Sequence, residues 1–413
     1  MKKIYTGIEL GTDSIKIIVA EKINDKFHVL ASACKSSMGI KNGEIVDIKV
    51  AVSSVKNALR EVNDMLGIRI SKAIACISPK YCNMDIVNGC ADIIDYNEVT
   101  GEDVSNVLMD ALREFDFENQ ELVTAMPISF SIDDNEKTIT DPKGMKGSVL
   151  KTKVVIGTTP KEPLYRVLEV LRLSGVETVD ICFTSTGDYF CIKNKQFDNV
   201  VGAIINIGEE STNVSIFNKG IQIKNSVIPM GSFNIDKDIS YVFKSDRIES
   251  RKIKESFCLA KASYADSTDV YEVNTKDGEV KEINQRAVSK VVEARIKELL
   301  KLAKSEIKNL TNREIRFIII TGGLSEMSGF QYLVDDEFGF VAKVCNIPTI
   351  GVRHNKYSSA LGTIKYFDDK LTLRGKTYNM FSDEESSDLV NTQRKMSMND
   401  NILSKVFGHF FDS

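Results

Sequence analysis

Two segments of this chain, about 200 residues apart, combine glycine with serine and threonine in a way that could bind phosphate. In each, the pattern predicts a buried strand, a Gly/Ser/Thr turn and a second strand of alternating polarity. Glycine lets the turn backbone approach a ligand closely, and successive N–H groups then form a concavity that suits an anion. Two such turns, one from each half of a duplicated protein, would hold the phosphates of a nucleotide from both sides. The segments are GIELGTDSIKI (7–17) and IINIGEESTNVSI (204–216).

The second segment departs from this chemistry. It has Asn206 where a metal-directing carboxylate is expected, and Glu209 and Glu210 where glycines are expected. Phosphoryl transfer depends on positioning and on charge neutralisation by Mg²⁺, and an asparagine brings no charge. A glutamate within about 5 Å of a phosphate would repel it by roughly 3 kcal/mol at an effective dielectric near 20, unless its side chain points away. We therefore predict slow or absent nucleotide hydrolysis, with weak or lost nucleotide binding.

The composition argues against several classes of protein. A chain of 413 residues is long enough for two or more domains, and its net charge of −4 predicts no basic surface for nucleic acid. The eight cysteines form no C-x-x-C pair, as expected of core residues in a reducing cytoplasm. The three histidines are far apart in sequence, which argues against a histidine metal site. Without a signal peptide or an apolar run of about 18–20 residues, the chain is expected to be cytoplasmic.

The elements that would position the two turns follow an α/β pattern. Residues 1–80 alternate strands with helices, and the second half repeats this scheme from residue 200. A helical block over 234–310 is interrupted by a polar, hairpin-like stretch at 271–282. A buried strand then leads into a second glycine turn at 321–323.

In residues 82–160 the pattern of predicted helices and strands differs from that of the flanking sequence. A helix is predicted to begin at Thr100, through a capping pattern with Asp103, and strands are predicted on both sides of it. A turn-rich stretch, DPKGMKG (141–147), lies near the end. This pattern predicts a small α+β insert within the first domain.

The C-terminal part joins a polar stretch to an apolar helix pattern. Residues 375–399 include the acidic run SDEESSD (382–388) and are predicted to form a flexible linker. Over 400–413, apolar residues recur on one helical face. This pattern favours a helix that lies in the plane of a membrane. A helix that docks on its own domain or on a partner is the alternative.

The predicted tail helix should bind a membrane weakly on its own. Half-burying six apolar side chains contributes very roughly 5–9 kcal/mol, and ordering a dozen residues offsets most of it. Many tails on one assembly would bind firmly because binding of the first raises the effective concentration of the rest. The six membrane-facing residues are Ile402, Leu403, Val406, Phe407, Phe410 and Phe411.

Several motifs together resemble the actin/Hsp70/sugar-kinase superfamily and, within it, the bacterial cell-division family FtsA. FIIITGG (317–323) resembles the superfamily's adenosine loop, and IKESFC (253–258) resembles the actin helix whose Lys-Glu pair touches adenosine. MGIKNGEIVD (38–47) and the 141–147 stretch are similar to the sequences that flank or end the family's inserted subdomain. VVEAR (291–295) is similar to a helix of the family, and the tail resembles its membrane-targeting helix.

The resemblance implies a duplicated actin-like (ribonuclease H-like) α/β fold of two domains. The implied fold also includes a small α+β inserted subdomain, a disordered C-terminal linker and a terminal amphipathic helix. The implied boundaries are 1–81 and 161–198 for subdomain 1A, 82–160 for the inserted subdomain 1C, 199–232 and 311–368 for subdomain 2A, 233–310 for subdomain 2B, 369–399 for the linker and 400–413 for the membrane-targeting helix.

The resemblance also implies ligands and partners. ATP with Mg²⁺ would bind between the hairpins, with Glu9 reaching the metal through water, and the chain would polymerise and meet other proteins of the divisome. The tail of tubulin-like FtsZ would bind subdomain 2B at Arg286, Lys290 and Arg295. The chain would thereby attach FtsZ filaments to the inner face of the cell membrane at the septum. The residues expected around the nucleotide are Glu9, Gly11, Thr12, Asp13, Ser14, Asn206, Gly208, Ser211, Lys254, Glu255, Gly322 and Gly323.

Two other functions are compatible with this fold. A PilM-like adaptor of type IV pilus assembly engages the short tail of a membrane protein and lacks a terminal amphipathic helix, so residues 402–411 discriminate between the two functions. A small-molecule kinase of the superfamily would have the same altered second turn, and no acceptor-site base is evident for it. We therefore expect an ATP-binding protein or pseudo-ATPase rather than an active enzyme.

Overall fold

The structure is a computed structural model that describes residues 3–113, 115–133, 137–276, 278–387 and 389. The α-helices of these residues are α1 (Ile48–Leu66), α2 (Gly101–Arg113), α3 (Lys161–Leu173), α4 (Thr184–Ile192), α5 (Ser232–Phe243), α6 (Arg247–Ser256), α7 (Gln285–Leu310), α8 (Phe330–Phe338) and α9 (Ser358–Leu373). Their β-strands are β1 (Lys3–Leu10), β2 (Ser14–Ile23), β3 (Lys26–Ser36), β4 (Ile40–Lys41), β5 (Glu44–Ile45), β6 (Lys72–Ile77), β7 (Asn83–Asp92), β8 (Gln120–Ile132), β9 (Val149–Pro160), β10 (Glu177–Phe183), β11 (Val201–Ile207), β12 (Thr212–Asn218), β13 (Ile221–Ile228), β14 (Val270–Asn274), β15 (Val280–Asn284), β16 (Phe317–Thr321) and β17 (Ala342–Val344).

Two five-stranded sheets share one topology. The first has the order β10-β6-β1-β2-β3, and the second has the order β13-β12-β11-β16-β17. In each, an antiparallel hairpin (β1/β2 or β11/β12) continues into a third antiparallel strand, while a parallel strand lies on the other side. Consecutive residues of β1 and β11 are buried because both faces of each sheet are covered. The predicted duplication and the predicted fold class are confirmed.

The insert predicted at residues 82–160 forms its own small layer. Its sheet has the order β7-β9-β8, and α2 packs against it through Val104, Val107 and Leu108. The N–H of Thr100 donates to Asp103 Oδ2 at 2.7 Å, so the predicted capping pattern is present at the start of this helix. The α+β character of the insert is therefore confirmed.

Helices α4 and α9 cross between the two domains. Gly187 and Gly362 lie at the crossing, where a Cβ added to Gly362 would overlap the carbonyl oxygen of Gly187. Only glycine permits this approach. The crossing brings Asp188 of α4 beside Ser358 and Ser359 at the start of α9.

The prediction of a flexible linker from residue 369 is wrong for the first part of that range. Residues 369–373 form the last turn of α9. The N–H of Met380 then donates to the carbonyl of Ile4 on β1 at 3.2 Å, and Phe381 and Leu389 are 5% and 3% exposed. The polar average of the segment masks these few apolar residues, which bury against the first domain. The predicted amphipathic helix at 400–413, and the linker from residue 390, lie outside the described residues.

The described helices have no candidate for a membrane span, since none combines sufficient length with sufficient apolar character.

Candidate functional site

A cleft of about 750 Å³ lies between the two domains, where the turns of both hairpins meet. Helix α6 and the turn after β16 complete its walls. The structure brings to this cleft all twelve residues that the sequence predicted for nucleotide and metal. They are Glu9, Gly11, Thr12, Asp13, Ser14, Asn206, Gly208, Ser211, Lys254, Glu255, Gly322 and Gly323.

The first hairpin places an ion pair on the cleft. Glu9 of β1 lies opposite Lys16 of β2, and Lys16 Nζ is 2.7 Å from Glu9 Oε1. The two side chains are only 12% and 10% exposed. Burial favours the neutral amine of Lys16, but the Glu9 charge outweighs it and raises the pKa of Lys16 above its ordinary value. Lys16 was missed by the sequence reasoning, although strand alternation from Glu9 across the turn could have found it.

The other carboxylate oxygen of Glu9 bears on metal binding. Oε2 is buried and has no hydrogen-bond partner among the described residues. A buried acceptor without a partner is costly, and a metal-bound water would satisfy it. Among the described residues, the cleft included, no cluster of three or more His, Cys, Asp or Glu could hold a metal by itself. Glu9 therefore suits a metal that arrives with a ligand rather than a dedicated protein cage.

The second hairpin has an amide pair at the equivalent place. Asn206 of β11 lies opposite Asn213 of β12, and Asn213 Oδ1 is a second buried acceptor that no described residue satisfies. The Nδ2 of Asn206 donates to Asp188 Oδ2 at 2.7 Å, and Ser358 and Ser359 donate to Asp188 Oδ1 at 2.6 and 2.8 Å. The second hairpin thus obtains a negative charge from helix α4 of the other domain.

Asp188 is an almost fully buried acid beside the cleft. It is 1% exposed, and burial raises its pKa from 3.8 to about 6, although the hydrogen bonds from Ser358, Asn206 and Ser359 oppose the change. Sequence reasoning missed this residue because it lies 18 positions before Asn206 on a separate element. Its signal was an acid within the apolar and small residues of TSTGDYFCI.

The two glutamates of the second turn are both engaged. Glu209 Oε1 lies 3.4 Å from Arg247 and 3.9 Å from Arg251, both of α6. Glu210 Oε2 accepts a hydrogen bond from the Asn42 N–H of the first domain at 2.6 Å. These partners offset part of the repulsion that the sequence predicted between the glutamates and a phosphate.

Arg251 also closes the cleft across its mouth. Its Nη1 lies 2.7 Å from Asp13 Oδ1 on the first turn, and its Nε donates to Glu255 at 2.8 Å. Burial favours the neutral form of Asp13, but the hydrogen bond and charge of Arg251 outweigh it and lower the pKa of Asp13. The same hydrogen bond to Asp13 raises the pKa of Arg251 further. Arg251 was not predicted as a site residue.

The predicted adenosine-facing residues differ in how closely neighbouring atoms constrain them. Lys254 forms a buried ion pair with Asp236, with Nζ 2.7 Å from Oδ1, and is therefore held within the second domain. Gly322 has φ +93°, and a Cβ there would overlap the carbonyl oxygen of Ile207, so this turn requires glycine. A Cβ on Gly323 would meet no atom within 4 Å, which leaves open space over the turn.

The predicted basic cluster for a partner tail does not form one patch. Arg286 and Lys290 are exposed on α7 and lie one helical turn apart. Arg295 instead makes a two-point contact with Asp238 of α5, at 2.6 and 2.8 Å. The helical period turns Arg295 away from the other two. The predicted membrane residues, 402–411, lie outside the described residues.

Solved structures show the same architecture. A structure of the PilM–PilN type IV pilus biogenesis complex aligns with a TM-score of 0.60 at 14% identity, over 87% of this chain and 97% of that one. MreB5 of Spiroplasma citri bound to ADP aligns with a TM-score of 0.55 at 11% identity, over 90% of this chain and 98% of that one. With its duplicated sheets and the paired hairpins around one cleft, the chain is an actin-like protein.

Sequence comparison narrows this class to one family. Residues 203–362 match the family model for cell division protein FtsA, and residues 80–158 match the model for the SHS2 domain inserted in FtsA. The chain belongs to the FtsA family of cell division proteins, as its sequence motifs predicted. FtsA of Bacillus subtilis is 28% identical over 93% of this chain and 88% of its own length. FtsA of Streptococcus pneumoniae is 26% identical over 89% of this chain and 80% of its own length.

Proposed function

We propose that this actin-like cell division protein attaches filaments of tubulin-like FtsZ to the cytoplasmic face of the cell membrane and helps to assemble the septum. The main support is that the similarity to FtsA proteins extends over about nine-tenths of the chain. Because 93% of the chain aligns with FtsA of Bacillus subtilis, the similarity reaches both actin-like domains as well as the inserted subdomain. Self-association into filaments and contacts with other divisome proteins belong to the same proposal.

The cleft is proposed to bind ATP together with Mg²⁺. Glu9 Oε2 and Asn213 Oδ1 offer unsatisfied buried acceptors among the described residues, and both side chains line the cleft. Bound Mg²⁺ would neutralise phosphate charge. Glu9 would hold it through water, while the N–H groups of the two turns would face the phosphates.

The altered second turn supports slow or absent hydrolysis. Asn206 supplies no charge of its own, and Glu209 and Glu210 keep two carboxylates on the cleft wall. Arg247 and Arg251 offset this charge only in part, since Arg251 also faces Asp13 and Glu255. Nucleotide affinity is therefore expected to be weak. Robust Mg²⁺-dependent turnover that Glu9→Ala abolishes would contradict this part of the proposal.

Membrane attachment is assigned to residues 402–411 and partner binding to α7. The apolar stripe of the tail is too short for firm binding by one copy, so attachment depends on several copies in one filament. Arg286 and Lys290 remain candidates for contact with the FtsZ tail because both are exposed. Arg295 is a weaker candidate because Asp238 already binds it.

Co-sedimentation with anionic liposomes tests the proposal. The full chain and a version ending at Asn399 are each mixed with liposomes, with and without FtsZ. We expect the full chain to pellet and to carry FtsZ with it, and the truncated chain to do neither. As matched controls, Phe407→Asp should abolish pelleting, whereas Ser404→Asp, on the polar side of the stripe, should reduce it only mildly.

The other outcomes separate the parts of the proposal. If the full chain binds liposomes without retaining FtsZ, the division role fails while the membrane role stands. If the full chain ignores lipid altogether, residues 402–411 are a protein-docking helix and a PilM-like adaptor function becomes the better account.

A further inference from the structure

The two hairpins differ at one equivalent pair of positions. In the first, Glu9 precedes the turn and lies opposite Lys16. In the second, Asn206 precedes the turn by the same spacing and lies opposite Asn213. The second hairpin therefore contains neither the carboxylate nor the cation of the first.

A carboxylate nevertheless lies directly behind Asn206. Asp188 reaches it from α4, with 2.7 Å between Asn206 Nδ2 and Asp188 Oδ2. The hydroxyls of Ser358 and Ser359 donate to the other oxygen, so both carboxylate oxygens are engaged. These three donors come from β11 and α9, and they fix Asp188 at the crossing of the two domains.

This contact fixes the orientation of the Asn206 amide. An ionised carboxylate only accepts hydrogen bonds, so the amide must turn its nitrogen toward Asp188. The amide oxygen is then directed to the side of Gly322, and it would lie 2.8 Å from a Cβ added there. No described residue donates a hydrogen bond to this oxygen, and both Asn206 and Gly322 line the cleft. Amide oxygens are suitable ligands for Mg²⁺ or for its bound water.

The charge of Asp188 is not neutralised by a nearby cation. Among the described residues, no lysine or arginine forms an ion pair with it, and its side chain is 1% exposed. In such a setting of low effective dielectric, the field of a buried carboxylate acts strongly on its neighbours. A hydrogen bond to an ionised acceptor also polarises the amide and increases the negative charge on its oxygen.

We propose that Asp188 replaces the carboxylate that the second hairpin lacks, as a positioning residue that acts through Asn206. The carboxylate holds the amide oxygen in the cleft and makes it an acceptor for the water shell of a Mg²⁺-nucleotide complex. Asp188 and Asn206 together then do what a single acid does in the first hairpin. This inference rests on the proposed binding of nucleotide with Mg²⁺.

Exchanging the two side chains tests the inference. Wild type, Asp188→Asn, Asn206→Asp and the double exchange are compared with a fluorescent ATP analogue, in Mg²⁺ and in EDTA. Loss of an outer-shell carboxylate is expected to reduce the Mg²⁺ stimulation of affinity by about tenfold in Asp188→Asn. The double exchange restores one carboxylate to the pair and should return to within about threefold of wild type, since the charge is conserved.

Thermal melting without nucleotide gives a second measurement. Asn206→Asp alone places two carboxylates side by side and should melt below the double exchange. Asp180→Asn removes a carboxylate of β10 that binds Lys370 and does not line the cleft. This variant should change the melting temperature without changing the Mg²⁺ stimulation of nucleotide affinity.

Three results would overturn the inference. The first is unchanged Mg²⁺ stimulation in Asp188→Asn. The second is a double exchange that recovers neither Mg²⁺ stimulation nor stability relative to the single variants. The third is the absence of nucleotide binding in all four proteins, which would remove the proposed nucleotide site itself and is recognisable because wild type fails too.

Discussion

The two hairpins have the same backbone but neutralise charge in different ways. Each turn is closed by the same hydrogen bond, from Gly11 N–H to Ser14 O at 3.2 Å and from Gly208 N–H to Ser211 O at 2.9 Å. The first hairpin contains both members of an ion pair, Glu9 and Lys16. The second depends on Asp188, which comes from the other domain. A duplicated hairpin thus conserves its shape, while its chemistry can move to a neighbouring element.

The largest effect should follow from breaking the ion pair of the first hairpin. Lys16→Met leaves the Glu9 carboxylate buried without a cation, which should lower the free energy of unfolding by about 3 kcal/mol. Urea denaturation measures this. Asn213→Leu, at the equivalent position of the second hairpin, should cost about 1 kcal/mol because no charge is left unpaired. Equal losses in the two variants would contradict the comparison.

A control variant separates charge from packing in the first hairpin. Glu9→Leu combined with Lys16→Met removes both charges together and should recover most of the stability lost in Lys16→Met. If the double variant were less stable than Lys16→Met, the loss would come from packing rather than from the unpaired carboxylate.

The acid behind the second hairpin should make stability depend on pH. Burial raises the pKa of Asp188 from 3.8 to about 6, so the folded protein holds this proton more tightly than the unfolded chain. The stability that this proton contributes is fully present below the unfolded pKa and is lost as the pH rises through about 6. From about pH 4 to pH 7, wild type should lose about 2–3 kcal/mol relative to Asp188→Asn.

Denaturation of both proteins across this pH range measures the difference. Glu9 is the charged group that faces Asp188, and it is the same in both proteins, as are the thiols of Cys182, Cys191 and Cys345. A constant gap between the two stability curves would show that Asp188 does not titrate in this range.

A methyl group added to each turn should reveal which one is packed more tightly. A Cβ on Gly11 would lie 2.8 Å from Ser14 O and also near Lys16 Nζ and Glu9 Oε1, whereas a Cβ on Gly208 would meet only Ser211 O, at 3.1 Å. Gly11→Ala should therefore cost about 2 kcal/mol and Gly208→Ala under about 1 kcal/mol, as measured by thermal unfolding. The reverse order would contradict the assignment of the ion pair to the first turn.

The smallest effect on stability should come from the ion pair that joins the first turn to helix α6 across the cleft. Asp13 and Arg251 are 36% and 38% exposed, so Asp13→Asn should change the free energy of unfolding by under about 1 kcal/mol. The same variant should increase hydrogen exchange at both turns because the cleft opens more often. Asp25→Asn, which removes the exposed partner of Lys22, is the control and should leave exchange at the turns unchanged.

Sequence patterns predicted most of the fold because the helical and strand periodicities of apolar residues are properties of the local sequence. The hairpins, the capped helix α2 and the helical block of the second domain all formed where periodicity and turn residues placed them. The C-terminal segment was predicted less well. Its polar average concealed Met380, Phe381 and Leu389, whose burial depends on the first domain and its strand β1, which are distant in sequence.

The sequence by itself predicted the twelve residues that line the cleft, since each lies on a strand end, turn or helix whose form is set by near neighbours. Only the tertiary structure decided which charges meet. Asp188 reaches Asn206, Arg251 reaches Asp13, and Arg295 turns from the predicted patch to Asp238. The physical reason is that turn geometry is encoded locally, whereas the partner of a buried or bridging charge is chosen by the packing of elements from different parts of the chain.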